Sequence, residues 1–203
     1  MYAKDFVLLA NCFSWLSLSG GNLLRFILRK LVPNVSFNKY IGEYGPYKLH
    51  GEFFLSNFRH WSKDHNSGFD NLIRSGRSKK CVFDIGAHIG LTSLPLSSHM
   101  SSTGILVAFE PSEINRNYLS KHIKWNMLEN AVIEPLLVGD KTIGNGHAFY
   151  ELGTVSGMHS IFPREGKEDI RQTTVPMITL DDYCTVNNIK IMFSGFLSNN
   201  HSI

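Results

Sequence analysis

Five residues within thirty positions carry the pattern with the most chemistry in this chain: Asp84, Gly86, Ala87, Gly90 and Glu110. The apolar run Cys81-Val82-Phe83 ends at Asp84, and glycines follow at a D-x-G-x-x-x-G spacing. Leu91, Leu94 and Leu96 come next, so the segment reads as a buried parallel strand turning into a helix over a nucleotide. Gly86 would let backbone approach a ligand, Ala87 lies in the same turn, and Gly90 would let the helix pack tightly on the strand. A second apolar run, 105–109, ends in Glu110, twenty positions after Gly90. A carboxylate at that strand tip suits the paired hydroxyls of a ribose.

Two nucleotide classes could use this layout. A dinucleotide turn starting at Gly86 needs glycine at positions 88 and 91, where His88 and Leu91 stand. Asp84 ahead of Gly86 instead suits S-adenosylmethionine, which has no pyrophosphate to cradle and carries an ammonium group that a carboxylate holds directly or through water. An ordinary strand-turn-helix without a ligand fits the same residues. Asp140, at the end of a third predicted strand, is a candidate partner for an adenine amino group, or simply a turn residue before Lys141. His88 and His159 are candidate bases, against the plainer readings of a structural and a loop histidine. No metal site is expected, because His60 and His65 lack ligand spacing and no C-x-x-C occurs.

The elements that must position these residues alternate. From Cys81 the order is strand, helix, strand, helix, strand, which predicts an α/β fold with a mostly parallel sheet and flanking helices. The first helix contains Pro95, which costs roughly 3 kcal/mol in a helix interior unless the helix starts late or kinks. The second runs from Ile114 to about Met127, and 131–138 is the third strand. A strand around 148–150 pairs with 173–177 across a loop at 155–160. Thr179 caps a short helix, and Ile189 opens a fourth parallel strand.

With 203 residues, 43% of them hydrophobic and 18% charged, the chain has globular composition. A net charge of +3 does not argue for nucleic acid. Three cysteines without a disulfide pattern point to a reducing compartment, and a cytoplasmic location is expected. Three regions are expected: an amino-terminal extension over 1–80, a nucleotide-binding domain over 81–191 and a divergent tail over 192–203. In the extension, 6–18 is too short to span a bilayer. A helix over 22–32 has Arg25, Arg29 and Lys30 opposite an apolar face. It suits peripheral membrane contact, although packing on its own domain is the favoured reading. Turns at Gly42, Gly45-Pro46 and Gly51 surround a short strand at 47–49, and Phe53, Phe54, Phe58 and Trp61 form an aromatic cluster.

Taken together, D-I-G-A-H-I-G (84–90), A-F-E-P-S (108–112), V-G-D (138–140), S-G-M-H-S (156–160) and T-L-D-D (179–182) resemble the FkbM family of S-adenosylmethionine-dependent methyltransferases, in order, over about 81–191. The resemblance implies the class I methyltransferase (Rossmann-like) sheet and methyl transfer to a hydroxyl of a small molecule, typically a sugar or polyketide-like one. It breaks at the fourth strand. The family reads I-K-I-D-V-E-G, whereas Met192 and Ser194 replace both carboxylates here. A shifted reading frame beyond Ile191 is one expectation for this break. The sheet is then incomplete at the carboxyl end, catalytic residues stay unassigned, and the chain as it stands is expected to be inactive. The alternative is a non-catalytic nucleoside-binding or regulatory remnant.

Overall fold

The computed structural model describes residues 35–61, 67–152 and 170–190. The helix at 22–32, the 155–160 loop with His159, and positions 192–203 lie outside the described residues. Two compact units are present, one including 35–37 and 49–56, the other including 38–48 and the described residues from 57 onward. In the smaller unit a single 3-10 turn, Gly51–Phe53, is capped by the His50 side chain, which accepts from the Glu52 N–H at 3.2 Å. The rings of Phe37 and Phe54 meet there in a tilted pair, centroids 4.6 Å apart. Strands β1 (Ser36–Ile41) and β2 (Tyr44–His50) form a two-stranded sheet. The strand expected at 47–49 is therefore longer, since the turn at Gly42 lets both arms pair.

The larger unit holds the predicted alternation. Helix α1 (Phe69–Gly76) leads into β3 (Cys81–Ile85), followed by α2 (Ser93–His99), β4 (Ile105–Phe109), α3 (Glu113–Trp125) and β5 (Ala131–Glu134). The three strands are parallel in the order β3-β4-β5, with Asp84 opposite Ala108 and Phe109 opposite Glu134. This is the strand-helix-strand arrangement of a Rossmann-like α/β sheet. Alternate residues face opposite ways. Cys81, Phe83, Ile85, Val107 and Phe109 belong to one packed cluster with Tyr183, whose ring lies 4.9 Å from that of Phe109 and 6.0 Å from that of Phe83. Leu106 and Ala108, fully buried, lie on the α2 side. Cover on both faces is why β3 and β4 are nearly continuous apolar runs. Burying a side chain such as Leu106 contributes about 2 kcal/mol.

The helix is formed from Ser93, so Pro95 sits in its first turn, where proline is tolerated. The third strand differs from expectation. It is split by Pro135 into β5 and a two-residue β6 (Leu137–Val138), because a proline has no N–H to donate to the ladder. Strand β6 joins a second sheet of order β6-β8-β7, with β7 (Ile143–Leu152) antiparallel to β8 (Ile170–Ile178) and Phe149 opposite Thr173. Helix α4 (Leu180–Val186) follows, with the Thr179 hydroxyl accepting from the Asp182 N–H at 3.0 Å. Ile189 and Lys190 are not in a strand. Among the described residues no helix is long and apolar enough to cross a membrane.

Candidate functional site

The site grows from the carboxyl ends of β3 and β4, which parallel pairing sets side by side. Asp84 is 4% exposed, and its Oδ2 accepts from the Ser93 hydroxyl at 2.6 Å. Burial pushes its carboxyl up to about 6, against the opposing pull of that hydroxyl. Gly86 follows at φ +75°, exposed, with open space where a Cβ would stand. A backbone that turns left-handed beneath open space is suited to close approach by a ligand. Gly90, at φ +96°, has a different role from the one expected. A Cβ there would meet Leu119 Cδ1 at 2.7 Å, so the glycine brings the turn against α3 and not against the strand.

Glu110, also 4% exposed, is held by three donors. Its Oε2 accepts from the His88 N–H at 2.7 Å, and its Oε1 accepts from the Ser112 N–H at 3.0 Å and Asn115 Nδ2 at 3.3 Å. Burial raises its carboxyl above the usual carboxylate range, opposed by these three donors and by Arg116. Arg116 donates to the carbonyl oxygens of Glu110 and Pro111. Ser112 is the N-cap of α3, and its hydroxyl accepts from the Asn115 N–H at 3.4 Å. Glu151 of β7, buried, accepts the Glu113 N–H at 3.1 Å, so the second sheet also ties down the start of α3.

The turn's own N–H groups are largely spent within the protein. Those of Gly86 and Ala87 donate to the Phe109 carbonyl at 2.9 and 3.0 Å, that of His88 to Glu110, and that of Gly90 to the Ala87 carbonyl at 2.8 Å. His88 adopts φ +51°, uncommon for a residue with a side chain. His122 of α3, fully buried, faces the Ile89 carbonyl through Nδ1 at 2.7 Å. A ring nitrogen opposite a carbonyl oxygen carries the hydrogen, so His122 donates and anchors the turn from behind.

Asp84, Gly86, Ala87, Gly90 and Glu110 thus come together. Asp140 does not join them through any hydrogen bond among the described residues. It is exposed in the bend after β6, in the other sheet. The carboxylate at the end of the third parallel strand is Glu134, because Pro135 ends that strand early. Its Oε1 accepts from the Tyr183 hydroxyl at 2.8 Å, and Tyr183 titrates above its ordinary value through burial and that carboxylate. Ser93, Asn115 and His122 were not expected. Ser112 carried a readable signal, a serine just before a helix; the other three had none, since each acts across nine to thirty-three positions of sequence or from inside a helix. Among the described residues no group of three or more His, Cys, Asp or Glu could hold a metal ion.

No protein-family model matches the chain, and no curated protein sequence matches it. Among solved structures it is similar to TYW2 of M. jannaschii in complex with AdoMet, at 19% identity over 48% of this chain and 48% of that one, TM-score 0.34. It is also similar to Trm5b of Pyrococcus abyssi, at 16% identity over 51% of this chain and 33% of that one, TM-score 0.35. A third is a SAM-dependent O-methyltransferase of Thermotoga maritima, at 10% identity over 52% of this chain and 54% of that one, TM-score 0.32. The chain spans a third to about half the length of these structures. The fold class rests on the chain's own strand order and register.

Proposed function

We propose that the chain is an S-adenosylmethionine-dependent methyltransferase of the class I type, and more finely of the FkbM type, acting on a hydroxyl of a sugar or other small molecule. The observation that carries the cofactor reading is the disposition of donors and acceptors at the turn. The N–H groups of Gly86, Ala87, His88 and Gly90 are committed inside the protein, so they do not form a cradle for a pyrophosphate. Two carboxylates stand at the adjoining strand ends instead. That combination suits a ligand offering an ammonium group and hydroxyl donors, and the open space over Gly86 suits its close approach. The residues present fit the cofactor.

When bound, that cofactor supplies an electrophilic methyl group, and its transfer needs in-line positioning more than acid catalysis. Glu110 would accept a ribose hydroxyl. Asp84 would stabilise the ammonium group directly or through water. Gly86 and Ala87 would form the wall the nucleoside lies against. The hydroxyl acceptor, and the FkbM assignment itself, rest on the motifs of the sequence. Asp140 as an adenine partner, and the helix at 22–32 as a membrane contact, are further parts of that reading.

Calorimetric titration of S-adenosylhomocysteine and of NAD into the wild-type chain and into Glu110→Ala tests it. We expect the wild type to bind the homocysteine compound and not NAD. Glu110→Ala should lose about tenfold or more in affinity, the scale of one hydrogen bond to a charged group. Binding of NAD alone, or equal affinity in the variant, refutes the assignment.

A further inference from the structure

We infer that Asn115 is a positioning residue for the nucleoside, acting through Glu110; this rests on the cofactor reading above. A carboxylate offers about four acceptor positions, two on each oxygen. In Glu110 three are filled: both on Oε1, by the Ser112 N–H and Asn115 Nδ2, and one on Oε2, by the His88 N–H. Among the described residues one position remains, on Oε2, and it is the one that can take a ligand hydroxyl.

Two of the three donors are backbone groups whose places follow from the turn and from the first residues before α3. Asn115 supplies the one side-chain donor, and it is itself held. It is 1% exposed, and its own N–H donates to the Ser112 hydroxyl at 3.4 Å. Its amide therefore approaches Oε1 from a fixed point on the first turn of α3. With Oε1 tied on that side and Oε2 tied to His88, rotation of the carboxylate about its last bond is stopped. The remaining acceptor position then keeps one direction. Held acceptors of this kind bind without an ordering cost at the moment of contact.

A merely structural asparagine would affect every ligand of the site alike. A positioning asparagine affects only ligands that use the Glu110 carboxylate. Kd values of S-adenosylhomocysteine and of its 2′,3′-dideoxy counterpart, measured for the full chain as wild type, Asn115→Ala and Asn115→Asp, separate the two. In the wild type we expect the dideoxy compound to bind more weakly. Asn115→Ala should weaken the ribose compound by about tenfold and leave the dideoxy compound within about twofold. Asn115→Asp, which keeps the shape but sets an acceptor against an acceptor, should cost the ribose compound more, again sparing the other.

Equal weakening of both compounds, or no weakening of the ribose compound, overturns the inference. So does loss of the cooperative thermal transition in both variants, which assigns Asn115 to folding alone. A wild-type chain that binds neither compound instead refutes the cofactor reading, and this inference falls with it.

Discussion

Asp84→Asn is expected to stabilise the free protein while weakening its cofactor binding. Asp84 lies 4% exposed behind the turn, and the described residues give its carboxylate one hydrogen bond, from Ser93. Burial raises it from 3.8 to about 6. That rise corresponds to about 3 kcal/mol of differential stability between its two protonation states. The folded value is higher than the unfolded one, so the charged form is the one penalised on folding. Above about pH 6 the penalty is fully present. It is relieved as pH falls from about 6 towards 4, where the folded protein takes up the proton before the unfolded chain does. Asparagine has the same shape, keeps an oxygen for the Ser93 hydroxyl and carries no charge. At pH 8 the variant should therefore be more stable by up to about 3 kcal/mol, or about 6–12 °C in Tm for a chain of this size. Thermal melts from pH 4 to 8 read this directly. The gap in Tm should close towards pH 4, while affinity for S-adenosylhomocysteine at pH 8 should fall. A variant less stable than wild type at pH 8, or a gap that does not change with pH, would refute the assignment of Asp84 as a buried charge.

The two glycines of the turn should separate. Gly86→Ala meets only the cost of a left-handed backbone, about 1–2 kcal/mol, because nothing lies within 4 Å of the added Cβ. Its larger effect should be on nucleoside binding, read by calorimetry beside a thermal melt. Gly90→Ala adds to the same backbone cost a contact with Leu119 Cδ1 at 2.7 Å. Chemical denaturation should show a loss of about 2–4 kcal/mol, whereas equal stability of the two variants would contradict the packing described. Tyr183→Phe removes the donor to Glu134 and keeps the ring against Phe83 and Phe109. We expect a loss of about 1–2 kcal/mol in the same assay, and no loss would mean that water replaces the hydroxyl without cost.

The amino-acid sequence by itself determined the alternation of elements and the place of each carboxylate along it. Short apolar runs, Cys81-Val82-Phe83 before Asp84 and 105–109 before Glu110, suit strands of a parallel sheet buried on both faces, and the turn residues between them are local properties of the chain. Thr179 and Ser112 were readable as helix caps for the same reason, since a cap bonds to an N–H three residues away. Tertiary structure decided what each group meets. Whether Pro135 bends a strand or ends it depended on a second sheet able to take Leu137 and Val138. Whether Gly90 faces strand or helix depended on where α3 returns. The surroundings of Glu110 were hidden as well, because its three donors come from a turn twenty-two positions earlier and from the start of the next helix. The bond from the His88 N–H, twenty-two positions away, leaves no periodicity along the chain and forms only once parallel pairing has set the ends of β3 and β4 side by side.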